Sequence, residues 1–265
     1  MAFGLVIGAG AATGLGAAVV FFPALVRLAS RRTLAGALGL SAGVMVYVSF
    51  VEIFGKASSA FEDSGIEEDT AYIYATLCFF GGVVLMVVRT FVAEESDSPG
   101  SPDEEDTPET KDSKKLMRMS LNTALAIGIH NFPEGLATFV ATLGDPKVGG
   151  VLAVAIAIHN IPEGLCVAMP VYYATGNRWK AFGWAMLSGM SEPFAALLGW
   201  AILANSFSDK LYGILFGIVS GMMVVISTRE LLPTAHRYDP EDSVVTYSFI
   251  AGMCIMALSL VLFLL

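Results

Sequence analysis

Two six-residue segments, HNFPEG at 130–135 and HNIPEG at 159–164, place ionisable side chains inside apolar stretches of the chain. In each segment the histidine and the glutamate are four positions apart, so a helix brings both to one face, with the asparagine beside it. The proline lacks an N–H group and frees the carbonyl one turn earlier. An imidazole, a carboxylate, an amide and a free carbonyl can together bind a divalent cation. The alternative is that each motif is only a hydrogen-bonded polar patch between helices, which is easier to accept for one motif than for the same motif twice. Ionisable groups inside apolar stretches usually have a function.

The composition is that of an all-α membrane protein that crosses the bilayer several times. Mean hydropathy is +0.68, 55% of the 265 residues are hydrophobic and 15% are charged, and several apolar stretches are long enough to span a bilayer. The first of them has no basic segment before it, which favours a transmembrane helix over a cleaved signal peptide. We predict one transmembrane domain over residues 1–265, with eight helices at about 2–26, 33–54, 70–92, 117–143, 148–174, 179–205, 211–235 and 244–265.

Charged residues indicate how the chain is oriented. Residues 94–115 are Asp, Glu, Ser, Pro and Lys with almost nothing apolar, which predicts a disordered acidic linker. With the N-terminus outside, this linker and the other loops on its side of the membrane hold ten Lys and Arg residues, and the opposite loops hold three. Positive loops are cytoplasmic, so both termini are expected outside or in an organelle lumen. No targeting motif distinguishes the plasma membrane from an endomembrane.

An internal repeat relates the second and seventh predicted helices. SAGVMVYVSFVEIF at 41–54 and VSGMMVVISTRELL at 219–232 share a glycine, a methionine, a valine, a serine and a glutamate at the same offsets. The two helices cross the membrane in opposite directions, and like sequence in opposite orientation is typical of inverted repeats in secondary transporters. The alternative is chance similarity among small apolar residues. The repeat predicts a 3+2+3 arrangement with the fourth and fifth helices as a central hairpin.

The length of the hairpin turn predicts how the two motifs meet. Folding the chain about residue 146 brings His130 level with Glu163 and Glu134 level with His159, in two layers about 5.4 Å apart. Carboxylates this close repel one another unless a positive charge lies between them, and a divalent cation supplies that charge.

The polar residues around this cluster suggest two adjoining ion sites. Glu192, in Ser-Glu-Pro near the middle of the sixth helix, is either a packed polar group or a further ligand, and the neighbouring motifs favour the ligand. One site has nitrogen and oxygen ligands in the number that zinc prefers, and the other is rich in oxygen and suits harder ions such as Fe²⁺ or Mn²⁺. The first comprises His130, Glu134, His159 and Glu163; the second comprises Asn131, Asn160 and Glu192 and shares Glu134 and Glu163.

Further polar residues are candidates for a transport pathway. One face of the second helix carries Met45, Ser49 and Glu52, and one face of the seventh carries Met223, Ser227 and Glu230. The two glutamates would lie towards opposite mouths as way-stations for a cation. The alternatives are that Glu230 pairs with a nearby arginine and that Glu52 faces the lipid headgroups. His236 is either part of the path or an ordinary interfacial histidine.

The doubled HNxPEG motif on consecutive helices, the eight spans and the hydrophilic linker resemble the ZIP family of divalent-metal transporters, and in particular its ZupT/GufA-like branch. The resemblance covers the chain outside 94–115. It implies an eight-helix inverted-repeat fold, cation movement towards the cytoplasm and a homodimer. It also implies a two-metal centre whose ligands match His130, Asn131, Glu134, His159, Asn160, Glu163 and Glu192. The linker has no histidine, so a histidine-rich metal-sensing loop is not expected.

These features together predict a secondary transporter rather than an enzyme. No GxxxxGK[ST] nucleotide-binding loop occurs, so an ion gradient would drive movement of Zn²⁺, or of Fe²⁺, Mn²⁺ or Cd²⁺, as substrate. No prosthetic group or nucleic-acid partner is expected. The alternatives are a membrane metal sensor that binds ions without flux and an intramembrane metallohydrolase, although the HExxH spacing of the latter is absent.

Overall fold

The computed structural model describes residues 1–28, 30–96, 128, 131–203 and 208–264, and this part of the chain is helical without any β-strand. The all-α class is therefore confirmed. In chain order the helices are α1 (Ala2–Ala17), α2 (Pro23–Leu28), α3 (Arg31–Val48), α4 (Phe54–Asp63), α5 (Glu68–Ser96), α6 (131–144), α7 (Pro146–Thr175), α8 (Arg178–Gly189), α9 (Ser191–Leu203), α10 (Asp209–Ile226), α11 (Leu232–Tyr238) and α12 (Val245–Leu264).

Five helical segments of the described chain are long and apolar enough to cross a membrane. They support an integral membrane protein and correspond to the first, second, third, fifth and seventh predicted helices. The eighth is represented by a shorter apolar helix, Val245–Val261. Much of the fourth predicted helix, and the linker beyond residue 96, lie outside the described residues. The five segments are Ala2–Phe21, Arg31–Asp63, Glu68–Val88, Pro146–Thr175 and Asp209–Tyr238.

Two predicted helices are interrupted, and a proline accounts for each interruption. The first ends in a 3₁₀ turn, Ala18–Phe21, and Phe22 is extended (φ −109°, ψ 101°) because the following Pro23 disfavours the helical conformation. The sixth is divided at Met190 into α8 and α9. Pro193 lacks the N–H that would bond to the carbonyl of Gly189, which weakens the helix at this point. The spans predicted over 2–26 and 179–205 therefore each contain a break within the described residues.

The second and seventh predicted helices are longer than expected and contain matching irregularities. A π-helical turn, Ser49–Ile53, joins α3 to α4, and a second, Ser227–Leu231, joins α10 to α11. The two turns occupy the same offset in the repeated segments 41–54 and 219–232. In each, the serine hydroxyl donates to the carbonyl four residues earlier, at 2.6 Å from Ser49 and 2.8 Å from Ser227. Single π-helical turns inside α-helices are rare and often occur at functional sites.

Glycine contacts divide the helices into two groups. We call α1, α6, α7, α8 and α9 the motif group and α3, α4, α5, α10 and α12 the repeat group. In the described chain, every glycine at which an added Cβ would come within 3.0 Å of another residue meets a residue of its own group. Helix pairs that approach this closely exclude bulkier side chains, as in many membrane helix interfaces. The closest approaches are Gly16 to Ile161, Gly164 to Thr13 and Gly135 to Glu192 in the motif group, and Gly43 to Phe249, Gly252 to Leu40, Gly82 to Ile218 and Gly221 to Phe79 in the repeat group.

Candidate metal centre

The two motifs are carried by a tight helical hairpin. α6 ends at residue 144, Asp145 is the N-cap of α7, and its carboxylate accepts from the backbone N–H of Lys147 at 2.8 Å. Pro146 occupies the first turn of α7, where a proline needs no N–H partner. Because the turn is this short, α6 and α7 run back along one another and the motif residues face across the hairpin.

Glu134 and His159 form a direct contact between two ionisable groups of the two motifs. Glu134 Oε1 lies 3.0 Å from His159 Nε2, and both side chains have no exposed surface. The turn length predicted this level pairing. His159 Nδ1 lies 3.1 Å from the carbonyl oxygen of Ala155, which can only accept. Nδ1 therefore carries a proton, and Nε2 is the nitrogen that faces Glu134, an orientation typical of metal-binding histidines. A hydrogen bond between Nε2 and Glu134 Oε1 requires a further proton, carried by one of these two atoms.

Glu163, the carboxylate of the second motif, contacts the repeat group. The hydroxyl of Ser41 on α3 donates to Glu163 Oε1 at 3.3 Å and lies 3.5 Å from the carbonyl oxygen of His159. Ser41 and Glu163 are fully buried. Ser41 was not among the predicted site residues, because a serine near the start of a repeated apolar segment gives no signal of its contact with another helix.

The two asparagines connect the hairpin to the neighbouring helices. Asn160 Nδ2 donates to Glu192 Oε1 at 2.5 Å and to the carbonyl of Ala9 on α1 at 3.0 Å. Asn131 Nδ2 donates to the carbonyl of Ser188 on α8 at 3.4 Å. The side chains of Asn131, Asn160 and Glu192 are fully buried. The structure thus brings Glu192 to the hairpin, next to the asparagine of the second motif.

The glycines that end the motifs allow this close assembly. A Cβ on Gly135 would lie 2.4 Å from Cα and from the carbonyl oxygen of Glu192, and a Cβ on Gly164 would lie 1.9 Å from the carbonyl oxygen of Thr13. Real Cβ atoms do not approach backbone atoms below 3.0 Å. The two glycines therefore place α6 against α9 and α7 against α1 at the level of the polar cluster.

Three buried carboxyl groups lie on the helices that meet here, Glu134 on α6, Glu163 on α7 and Glu192 on α9. Within the described residues, which do not include His130, no three side chains of His, Cys, Asp or Glu converge closely enough to hold an ion. Four predicted ligands therefore form two hydrogen-bonded pairs, Glu134 with His159 and Asn160 with Glu192. The position of His130 relative to Glu163 lies outside the described chain.

The candidate pathway residues lie in or beside the two π-helical turns and at the end of α11. Met45, Ser49 and Ser227 are fully buried, and both serine hydroxyls bond to their own helices. Glu52 and Glu230 are half-buried in the two π-helical turns. His236 is 45% exposed at the end of α11, with Nδ1 4.0 Å from Asp242 Oδ1, as expected of an interfacial histidine.

A cavity of about 260 Å³ lies at the end of the hairpin where α6 turns into α7. Its wall includes the carboxylates Asp63, Asp145 and Asp209 together with Lys56, from the end of α4, the hairpin turn and the start of α10. α4 follows directly on the π-helical turn that contains Glu52 and ends at the cavity wall. Glu52 therefore lies on the part of its helix that leads to the cavity. The sequence did not single out these carboxylates, which are far apart in the chain.

Comparison with known proteins agrees with the motifs. The family model for the ZIP zinc transporters matches residues 90–260. The protein named zinc transporter ZupT of Nitratidesulfovibrio vulgaris is 46% identical over 100% of this chain and 97% of its own length. Those of Lysinibacillus sphaericus and Oceanobacillus iheyensis are 45% and 44% identical over 99% of this chain and 97% of their own. The paired HNxPEG segments thus occur in a chain that matches these relatives from end to end, and the chain belongs to the ZIP family as a ZupT-like member.

Proposed function

We propose that this protein moves divalent metal cations, with Zn²⁺ as the principal substrate, across the membrane towards the cytoplasm. The observation that carries the proposal is the set of fully buried carboxylate, imidazole and amide groups that α6, α7 and α9 hold against one another. Moving polar and charged groups from water into an apolar medium costs free energy, so their burial here indicates a function. The names of the full-length relatives support zinc as the ion.

The proposed binding centre has two parts. One is built around the pair of Glu134 and His159, and the other around the pair of Asn160 and Glu192. In the first, a cation takes the place between Glu134 Oε1 and His159 Nε2, with Glu163 and His130 as further ligands. In the second, oxygen atoms of Asn131, Asn160 and Glu192 surround the ion. Nitrogen and carboxylate ligands suit zinc, whereas the all-oxygen part suits Fe²⁺ or Mn²⁺.

The glycine contacts support a division into two moving parts. The motif group holds every proposed ligand that the structure describes, and all of its closest backbone approaches are internal to it, as are those of the repeat group. Backbones in such contact cannot slide without creating voids or clashes, so each group is expected to move as a body. We propose that the motif group shifts against the repeat group and thereby exposes the centre to one side of the membrane and then the other. Ser41, which bonds to Glu163, crosses the boundary between the groups.

The 3+2+3 inverted repeat is proposed on the same structural correspondences. The π-helical turns occur at equal offsets, and the glycine pair between α3 and α12 has a counterpart between α10 and α5. Related halves of opposite orientation offer two equivalent arrangements about one central site, which is what alternating access requires. The eight-span count, the outside termini, the cytoplasmic linker and the homodimer remain predictions.

Acidic residues on either side of the centre would form the pathway of the cation. The acidic cavity beside Asp145 would collect cations at the outer mouth, with Glu52 between it and the centre. Glu230 lies in the equivalent turn towards the opposite mouth, and His236 lies beyond it on the surface. The driving force would be the ion gradient or a coupled ion.

Uptake of radioactive ⁶⁵Zn²⁺ into vesicles that contain the purified protein tests the proposal. Glu134→Gln and Glu163→Gln keep the shape of each side chain but remove a negative charge that faces the ion. We expect each to lower uptake by at least about tenfold, since loss of groups supporting a metal site costs 10–100-fold. Glu67→Gln, on an exposed loop, is the matched control and should transport normally. Normal uptake by both motif variants would overturn the assignment.

The same vesicles separate the alternatives. A metal sensor would bind zinc in equilibrium dialysis and yet show no flux into the vesicles, whereas a transporter shows both. The ZIP family consists of transporters, which argues against a metallohydrolase and supports the prediction that the protein is not an enzyme. Competition of unlabelled Fe²⁺, Mn²⁺ and Cd²⁺ with ⁶⁵Zn²⁺ would rank the substrates.

A further inference from the structure

Thr13 on α1 is a buried hydroxyl without a hydrogen-bond partner among the described residues. Its side chain has no exposed surface. A threonine inside a helix usually donates to the carbonyl four residues earlier, as Thr76 and Thr142 do here. The corresponding carbonyl for Thr13 is that of Ala9, which instead accepts from the Asn160 side chain at 3.0 Å. The hydroxyl of Thr13 is therefore left beside the polar cluster with its bonding capacity unused.

Two further buried oxygens without a partner in the described chain lie on the adjoining helices. They are Asn160 Oδ1 and Glu192 Oε2, whose residues are joined to each other by the bond from Asn160 Nδ2 to Glu192 Oε1. Thr13 packs on α7, which carries Asn160, and on the end of α8, which leads into the helix of Glu192. Its backbone carbonyl oxygen would lie 1.9 Å from a Cβ on Gly164, and its hydroxyl would lie 3.0 Å from a Cβ on Gly189, just before the break that precedes Glu192.

Thr13 and Glu192 are in equivalent positions, because the final glycine of one HNxPEG motif packs on the backbone of each. Gly135 of the first motif packs on the backbone of Glu192, and Gly164 of the second motif packs on the backbone of Thr13. Three residues before each of them, Gly10 and Gly189 pack on one another, since a Cβ on either would lie 2.6 Å from the carbonyl oxygen of the other. One side of the cluster thus carries a carboxylate at this position, and the other side carries a hydroxyl.

We propose that Thr13 is an additional oxygen ligand of the oxygen-rich part of the metal centre and helps to determine which cation is accepted. The proposal rests on the proposed transport function and deepens it. The hydroxyl would hold the ion, or one of the waters bound to it, opposite Glu192. A hydroxyl adds an oxygen ligand without adding negative charge. It therefore raises the affinity for ions that prefer oxygen ligands, such as Mn²⁺, more than the affinity for other divalent ions.

The test compares Thr13→Val, which keeps the side-chain shape and removes the hydroxyl, with Thr13→Ser, which keeps the hydroxyl and removes the methyl. Thr142→Val is the control, because the Thr142 hydroxyl is equally enclosed but bonds to the carbonyl of Thr138. Binding of Mn²⁺ and of Zn²⁺ to the purified protein is measured by isothermal titration, and uptake of both ions is measured in vesicles.

We expect Thr13→Val to weaken Mn²⁺ binding by about three- to tenfold, the range that loss of one hydrogen-bonding group produces. The effect on Zn²⁺ should be smaller, because His159 supplies a nitrogen ligand that zinc prefers. Thr13→Ser and Thr142→Val should bind both ions like the unmodified protein. Unchanged Mn²⁺ and Zn²⁺ binding in Thr13→Val would overturn the proposal, and so would equal losses in Thr13→Val and Thr13→Ser, which would show a packing role. Absence of flux in unmodified vesicles would instead overturn the transport function and leave the binding comparison to decide on Thr13.

Discussion

Replacing Gly164 by alanine tests whether the packing of α7 on α1 sets the geometry of the polar cluster. The added Cβ would lie 1.9 Å from the carbonyl oxygen of Thr13 and 2.7 Å from its carbonyl carbon. Since a real Cβ stays at least 3.0 Å from such atoms, α1 has to withdraw by about 1 Å. The obstructing atoms belong to the backbone, so no side-chain rotation relieves the clash.

This displacement has a predictable effect on the site. The bond from Asn160 Nδ2 to the carbonyl of Ala9 is 3.0 Å long, and a withdrawal of about 1 Å takes it beyond the length of a hydrogen bond. Asn160 then loses one of the two contacts that orient it towards Glu192. Overpacking of this kind typically costs about 1–3 kcal/mol. We therefore expect a lower melting temperature in detergent and a several-fold loss of zinc uptake.

Gly150→Ala is the matched control because it makes the same substitution in the same helix. A Cβ on Gly150 meets nothing within 4 Å, and alanine favours a helix over glycine by about 1 kcal/mol. This variant should be as stable as the unmodified protein or more so, with normal uptake. The reasoning would be refuted if Gly164→Ala matched Gly150→Ala in both melting temperature and uptake, or if both variants lost uptake equally.

Two further predictions concern the ends of the helices. Changing Asp145 and Asp209 together to asparagine removes two of the carboxylates around the cavity at the hairpin turn; we expect KM for zinc uptake to rise severalfold at low ionic strength with kcat unchanged, and the difference to shrink at high salt because screening removes the attraction. The Ser243 hydroxyl and the N–H groups of Val244 and Val245 lower the pKa of Asp239 at the start of α12. Its ionised form therefore stabilises the fold above the unfolded pKa, and this contribution disappears as pH falls through the folded pKa. Asp239→Ala should lower the melting temperature at pH 7 but much less in acid, and an equal loss at both pH values would contradict this explanation.

The central contact of the site could be predicted from sequence because it depends on local periodicity. A helix fixes which residues share a face, and the short turn at Asp145 fixes the register between α6 and α7. Those two constraints place Glu134 beside His159, where the structure has them 3.0 Å apart. Glu192 could be named because an acid beside a proline in an apolar helix is unusual, although only the fold shows that it bonds to Asn160.

Other features of the site leave no local signal in the chain. The carbonyls of Ala9, Ala155 and Ser188 accept from side chains of the proposed ligands, and any residue type can supply a carbonyl. Thr13 resembles other small residues of a glycine-rich apolar helix until its place opposite α9 is known. The repeat between 41–54 and 219–232 predicts a relation between two helices, but the π-helical turns within them depend on tertiary packing that periodicity does not describe.

The partners of the buried carboxylates bear on how the proposed metal centre would release an ion as well as bind it. Glu134 contacts an imidazole, Glu163 a hydroxyl and Glu192 an amide. Each contact must be exchanged when a cation arrives, and hydrogen bonds to charged groups contribute about 1.5–3 kcal/mol. Repulsion between neighbouring carboxylates acts in the opposite sense, because a cation between like negative charges relieves it. The affinity is then a difference between these effects, so a small shift of the motif group that breaks or restores one contact, such as that of Ser41 with Glu163, would change the affinity enough to favour release on one side of the membrane.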